Sequence, residues 1–251
     1  MNPVAISFGP LEIRWYGILI ALAVILGLWL ANREVKRKGL SEDIFFNIVI
    51  ITLPFAFLGA RLYYVLFNLD YYMENPGEIF AVWQGGLAIH GGVIFMLLIG
   101  FFATRHYNYR FLKLADIVSP PLILGQAIGR WGNFFNQEAY GFVVDPEKVP
   151  WAMFIDGAWR HPTFLYESVW NVLIFIFLLF FRRSSKAREG EVFFLYLMLY
   201  SLGRFFIEGL RTDSLMMGPL RAAQVISLAM FLTGLIAMVY RRKTREKRNF
   251  R

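Results

Sequence analysis

Long apolar stretches alternate with short polar ones along the whole chain. Seven apolar segments can be read, near 15–31, 44–67, 87–103, 114–130, 163–181, 192–209 and 219–240. A helix of about 20 residues spans the roughly 30 Å hydrocarbon layer of a bilayer, and these segments are of that order. A water-soluble helical bundle would show a polar face returning every three or four residues, and that return is mostly missing. The pattern therefore predicts an all-α polytopic membrane protein, read as one integral membrane domain over residues 1–251. The fourth segment is the least apolar. It holds Asp116 and the pair Pro120-Pro121, so a kink or partial unwinding is expected there, with protein or water satisfying the freed carbonyls.

The connecting segments sort the charge. Segments 32–43, 105–113, 182–190 and 241–251 hold eighteen lysines and arginines, whereas 1–14, 68–86, 131–162 and 210–218 hold four. The positive-inside rule then places the N-terminus outside and the C-terminus in the cytoplasm, which requires an odd number of spans such as seven. Residues 1–13 carry neither a basic n-region nor a small-residue cleavage site, so no cleavable signal is expected. Four arginines remain: Arg61, Arg130, Arg204 and Arg221, inside or at the ends of predicted spans. Such residues usually face a cavity and a partner. Arg221, just inside its boundary, is read instead as a side chain that snorkels to the interface.

Composition agrees with this reading. Hydrophobic residues make up 57% of the 251 and charged residues 18%. The net charge of +8 would suit nucleic acid, but its confinement to one set of loops serves membrane orientation instead, and no nucleic-acid partner is expected. There is no cysteine, which removes disulfides, thiolate metal sites and a thiol nucleophile carried by the protein itself. The longest outer connection, 131–162, contains Phe154-Ile155-Asp156-Gly157-Ala158-Trp159. This reads as a hairpin with an Asp-Gly turn, part of a small extracytoplasmic cap.

Chemistry concentrates where the fourth span meets the outer interface. The stretch Gly129-Arg130-Trp131-Gly132-Asn133-Phe134-Phe135-Asn136-Gln137-Glu138-Ala139-Tyr140-Gly141 gathers a guanidinium, carboxamides and a carboxylate among glycines that permit close backbone approach. That much polarity suits capture of a polar head group, with Arg130 forking onto phosphate oxygens. The alternative is a polar loop entry whose groups are solvated or cap helices.

This stretch resembles the signature of the prolipoprotein diacylglyceryl transferase family, G-R-x-G-N-F-x-N-x-E-x-x-G, at all eight specified positions. Further stretches resemble the same family: Arg14-Trp15-Tyr16-Gly17, Gly59-Ala60-Arg61, Gly85 through Gly92 around His90, and His161-Pro162-Thr163-Phe164-Leu165-Tyr166-Glu167. Tyr200 through Glu208 resembles its second arginine motif, continuing to Arg211 and Asp213. One departure is Phe164, where many members carry Gln, so no polar role is expected at that position.

The resemblance implies a reaction in which the cysteine thiol of a prolipoprotein signal peptide attacks the phosphate-bearing glyceryl carbon of phosphatidylglycerol. A thioether forms and glycerol 1-phosphate leaves, at the bacterial cytoplasmic (inner) membrane with the site on its extracytoplasmic side. No metal and no cofactor are implied. Of the three histidines, His106 falls in a cytoplasmic loop, and no acidic cluster stands beside His90 or His161. The expected catalytic residues are His90 as acceptor of the thiol proton or as a positioning group, Arg130 on the phosphate, and Arg204 against the developing charge. Tyr16, Asn133, Asn136, Glu138, Gly141, Tyr200 and Glu208 join Arg130 as substrate-binding candidates. Glu208 follows Arg204 by four residues, so one helix face holds both. Two other classes fit the sequence less well. A non-catalytic carrier of anionic lipid or anions would more often show inverted repeats and polar groups at mid-membrane. A phospholipid acyl- or head-group transferase shares the substrate but usually needs a metal or an H-x-x-x-x-D motif, and the residues after His90 supply no such aspartate.

Overall fold

The computed structural model describes residues 2–9, 11–82, 85–185 and 187–249; the last two residues of the basic tail lie outside that set. The protein is an all-α polytopic membrane protein, decorated among the described residues by three two-stranded hairpins. Among the described residues six helices are long and apolar enough to cross a membrane: α1 (Trp15–Arg37), α2 (Glu42–Phe67), α4 (Ile89–His106), α5 (Phe111–Asn136), α6 (Thr163–Phe181) and, over Ala222–Thr244, α8 (Ala222–Asn249). Helix α7 (Glu191–Glu208) matches the sixth predicted segment in position and carries three charges, Glu191, Arg204 and Glu208. Short helix α3 (Leu69–Glu74) and a 3₁₀ turn at Pro76–Phe80 complete the helical set. Large apolar side chains such as Ile25, Phe57, Phe102 and Ile236 stand outward, the reverse of a soluble protein and the arrangement a lipid solvent favours.

The chain divides into two compact units, one formed by residues 32–114 and the other by 1–31 with 115–251. In the first, Ser41 caps α2 by accepting from Ile44 N at 3.3 Å, and Glu42 and Asp43 lie in the first turn, where negative charge suits the helix dipole. Helices α2 and α4 cross at glycines. A Cβ on Gly91 would overlap the Gly59 carbonyl, and one on Gly59 would overlap the Phe95 ring. Small residues of this kind let backbones approach where no hydrophobic effect drives helices together. Arg61, 6% exposed, then organises the connection between α3 and α4. Its guanidinium donates to the carbonyls of Glu78 (2.6 Å), Ile79 (2.8 Å), Gly85 (2.9 Å) and Gly86 (2.9 Å), with the rings of Tyr72 and Tyr64 at 5.2 and 5.9 Å. The expected partner of Arg61 is thus backbone rather than a carboxylate.

In the second unit α1 lies along α5, whose Gly125, Gly129 and Gly132 face Ala23, Ile20 and Tyr16. Their three- and four-residue spacing makes one smooth ridge on α5. Helix α5 is unbroken through Pro120 and Pro121, so the expected unwinding is not found. It also runs on to Asn136, placing residues 131–136 of the signature in helix rather than in the outer loop. Asp116, on the same helix, links α5 to the next helix but one. Its carboxylate accepts from Gly190 N (2.6 Å) and Phe193 N (2.9 Å), and so caps the start of α7, where the N-cap is a left-handed glycine that has no side chain to offer. Ile123, Ile174, Leu178, Val192 and Tyr196 form the common core of α5, α6 and α7.

Hairpin β1 (Val4–Phe8)–β2 (Leu11–Arg14) leads directly into α1. Hairpin β3 (Met153–Ile155)–β4 (Ala158–Arg160) forms as the sequence predicts, with Asp156 at φ 48° and Gly157 at φ 74°, the two positive angles of the tight turn favoured between twisted strands. Hairpin β5 (Met216–Met217)–β6 (Leu220–Arg221) precedes α8.

Candidate functional site

Where α5, α6 and α7 converge in the second unit, charged side chains form a continuous chain across the helices. Glu167 on α6, 4% exposed, is its hub. One carboxylate oxygen meets Arg130 Nη2 of α5 at 2.6 Å and the other meets Arg204 Nη1 of α7 at 2.5 Å. Arg204 Nη2 continues to Glu208 at 2.6 Å, the pairing that the four-residue spacing predicts. Arg211 lies 3.9 Å from the same Glu208 oxygen and holds Asp213 through two nitrogens at 2.7 and 3.0 Å. Burial pushes the Asp213 carboxyl up, but the hydrogen bond and charge of Arg211 outweigh it and leave it below the ordinary aspartate value. Ser214 donates to Glu208 at 2.7 Å.

This arrangement leaves two cations committed to one acid. A guanidinium carries five N–H donors. Among the described residues, Arg204 makes two charged contacts, and Arg130 makes one together with a longer approach of 3.4 Å to Asn133 Oδ1. Donors remain on both for a further anion, at a place where desolvation strengthens each contact.

The signature residues build the outer end of this site. Asn133 Nδ2 and Asn136 Nδ2 both donate to Glu138 Oε1, at 2.9 and 3.2 Å, so one exposed carboxylate is held by two amides beside Arg130. Helix α5 ends there because Gln137 (φ 52°) and Ala139 (φ 58°) take left-handed conformations. The β3–β4 hairpin clasps that turn. Asp156 N donates to Gln137 Oε1 at 3.1 Å, Tyr140 donates to Asp156 Oδ2 at 2.5 Å, and Arg160 lies over the Tyr140 ring at 4.3 Å. Donation to Asp156 raises the Tyr140 phenol above its ordinary value. Gly141 is buried between two backbones: its N–H meets the His161 carbonyl at 3.0 Å, and a Cβ would press on His161 and on the Leu210 carbonyl. Its place is therefore one of close packing. Tyr16, exposed, lies against Gly132, where a Cβ would overlap its ring, and Trp15 stacks on Phe135 at 5.1 Å. Tyr200 stacks on Tyr196 at 6.0 Å.

Arg130, Asn133, Asn136, Glu138, Arg204 and Glu208 are thus brought together in one unit. His90 belongs to the other unit, exposed at the start of α4 with its ring 6.0 Å from that of Tyr63. Sequence reasoning gave Glu167 no role. The available signal was its position as a lone carboxylate within an apolar span, which by itself marks a functional candidate. Arg221 departs from the snorkelling expectation: its guanidinium donates to the Glu208 carbonyl and lies 5.7 Å from the Phe142 ring, closing the end of α7.

A cluster of arginines bridged by buried carboxylates, set among long apolar helices, defines the class of site. The prolipoprotein diacylglyceryl transferase family profile matches residues 3–240. Proteins named phosphatidylglycerol–prolipoprotein diacylglyceryl transferase from Bacillus cereus and Bacillus thuringiensis are each 50% identical to this chain, covering 97% of it and 93% of the relative. One from Bacillus mycoides is 49% identical over the same shares. The chain belongs to the prolipoprotein diacylglyceryl transferase family.

Proposed function

We propose that this protein transfers the diacylglyceryl group of phosphatidylglycerol to the lipobox cysteine of prolipoproteins, on the outer side of a bacterial cytoplasmic membrane. The observation that carries the reading is the pair of guanidiniums, Arg130 and Arg204, joined through the acid Glu167. The thiol proton passes to a base, and the thiolate attacks the glyceryl carbon that bears the phosphate ester. The carbon–oxygen bond breaks, and glycerol 1-phosphate leaves with the bonding electrons. Charge accumulates on the phosphate oxygens as that bond breaks, and preorganised donors aimed at them lower the barrier. Arg130 takes the phosphate, and Arg204 stabilises the departing dianion. Asn133, Asn136, Glu138 and Tyr16 hold the polar head, with Glu208 and Tyr200 supporting Arg204. His90 is assigned the thiol proton, because a neutral imidazole accepts one near pH 7. Helix α7 serves as the seventh span, its Arg204 and Glu208 paired within the cluster, which fits an external N-terminus and a cytoplasmic C-terminus. Both compact units act as one transferase domain.

The reading is tested by incubating the purified protein with labelled phosphatidylglycerol and a lipobox peptide. Thioether product and glycerol phosphate are expected in equal amounts; an unmodified cysteine overturns it. Arg130→Ala is expected to lower kcat by about 10²–10³-fold, the loss of one well-placed donor, and a wild-type rate in that variant removes the phosphate assignment. His90→Gln should lower the rate by roughly 10²-fold or more if the imidazole is the base. Retention of most activity across the neutral pH range makes it a positioning residue instead.

A further inference from the structure

Below the charged layer, away from the outer ends of the same three helices, lies a second polar layer. Gln126 precedes Arg130 by four residues on α5, Asn171 follows Glu167 by four on α6, and Ser201 precedes Arg204 by three on α7. Each therefore sits about 5 Å deeper than its charged neighbour, one turn of helix. The cross-helix contacts hold both levels in register. Glu167 joins Arg130 and Arg204 above; below, Gln126 Nε2 donates to the Tyr196 hydroxyl at 3.0 Å, over the Ile123–Ile174–Tyr196 core.

Asn171 and Ser201 are 2% and 1% exposed. Among the described residues Asn171 Nδ2, Ser201 Oγ and Gln126 Oε1 are buried and have no hydrogen-bond partner. Buried polar groups are nearly always paired, and within hydrocarbon no bulk water relieves one that is not. Three such atoms fall at one level on three adjacent helices. Packing alone would be met better by apolar side chains of similar volume.

We infer that this layer is a subsite for the ester carbonyls of the diacylglyceryl group. The inference rests on the transferase reading above. In a diacyl phospholipid the glycerol carbons carrying the esters lie between the phosphate and the acyl chains. With the phosphate on Arg130 and Arg204, the ester carbonyls fall about one turn deeper, at the level of Asn171 and Ser201. An ester carbonyl only accepts hydrogen bonds. Asn171 Nδ2 and Ser201 Oγ–H are donors, and Gln126, held by Tyr196, borders them. The subsite fixes the glyceryl carbon relative to the phosphate during displacement and selects a diester lipid over one with ether-linked chains.

The experiment compares phosphatidylglycerol with its dialkyl-ether analogue as donor lipid, using wild type, Asn171→Leu and Ser201→Ala with one lipobox peptide. Wild type is expected to favour the diester in kcat/KM by about threefold to tenfold, the range of one or two neutral hydrogen bonds. Asn171→Leu should slow the diester alone and erase that preference, and comparing variants on both lipids cancels any intrinsic difference in their reactivity. Ser201→Ala, which changes little volume, should narrow the preference in the same direction. The proposal is overturned if wild type uses both lipids equally or if each variant slows both by one factor. It also falls if only the KM for the peptide moves, which would give the layer to the peptide backbone. A wild-type protein that forms no thioether from the diester brings down the transferase reading itself, a separate result.

Discussion

Arg61 and the pair Arg130–Arg204 are all cations on apolar helices, yet they are neutralised in opposite ways. Arg61 spends its donors on four backbone carbonyls and lies against two tyrosine rings. Its fork is committed, and it holds a loop. Arg130 and Arg204 share Glu167, and Arg204 also meets Glu208, yet each keeps N–H donors that find no partner among the described residues. Burial of an arginine in a membrane helix is therefore not by itself a sign of substrate binding; what matters is whether its partners exhaust it. A carbonyl cage spends a guanidinium, whereas a shared acid keeps it in place and ready.

The comparison breaks most sharply at Arg61. Arg61→Ala leaves four carbonyls on half-buried or exposed residues without their donor; each bond is worth about 0.5–1.5 kcal/mol, so a stability loss on the order of 3 kcal/mol is expected. A thermal melt in detergent reads it. The KM for lipid in whatever fraction remains folded should stay near wild type, and a selective rise in that KM would place Arg61 among the phosphate contacts and erase the distinction.

Glu167→Gln probes the other side. It keeps the shape of the hub and removes its charge, leaving Arg130 without its carboxylate and Arg204 with Glu208 alone. Breaking a buried pair in this way costs about 3–5 kcal/mol in a fully buried setting; with Arg130 and Arg204 about 21% and 16% exposed roughly 2 kcal/mol is expected. The anionic lipid then becomes the counter-ion the protein lacks. Its KM should fall while kcat falls by about tenfold, a split that reports tighter ground-state binding with slower departure of the phosphate. A rise in KM at unchanged kcat would instead make Glu167 an ordinary contact.

Much of this was legible in the sequence because lipid imposes long apolar runs and expensive charges. The spans, the Asp156-Gly157 hairpin and the grouping of Arg130 with Asn133, Asn136 and Glu138 all follow from hydropathy, turn chemistry and local spacing. What escaped depended on contacts between distant segments. Glu167 is a single carboxylate in an apolar run, and only the convergence of α5, α6 and α7 makes it a hub. Pro120 and Pro121 suggested a break, but both are buried in packed helix, and tertiary packing overrode the local preference. Arg221 is near a span boundary, as a snorkelling residue would be, yet the end of α7 lies within its reach and takes the guanidinium. The Asp116 cap on α7 joins residues 74 positions apart, a pairing that no local pattern announces.

The smallest effect tests whether the cap hairpin contributes to the cluster from a distance. Asp156 grips the turn that ends α5 through its backbone N–H to Gln137 and through the Tyr140 hydroxyl. That turn carries Glu138, which orders Asn133 and Asn136 beside Arg130. Tyr140→Phe removes one solvent-accessible hydrogen bond and nothing else. Such a bond is worth about 0.5 kcal/mol, or roughly a twofold change. The change is expected in KM for phosphatidylglycerol with kcat preserved, because on the proposed reading the turn orders head-group contacts and touches no reacting atom. Asp156→Asn should give a smaller change in the same direction, since the amide can still accept from Tyr140 but loses the charge that draws the phenol proton. If Tyr140→Phe instead lowers kcat by tenfold with KM constant, the hydroxyl takes part in the chemistry itself. The arginines would then share the transition state with a residue outside their cluster.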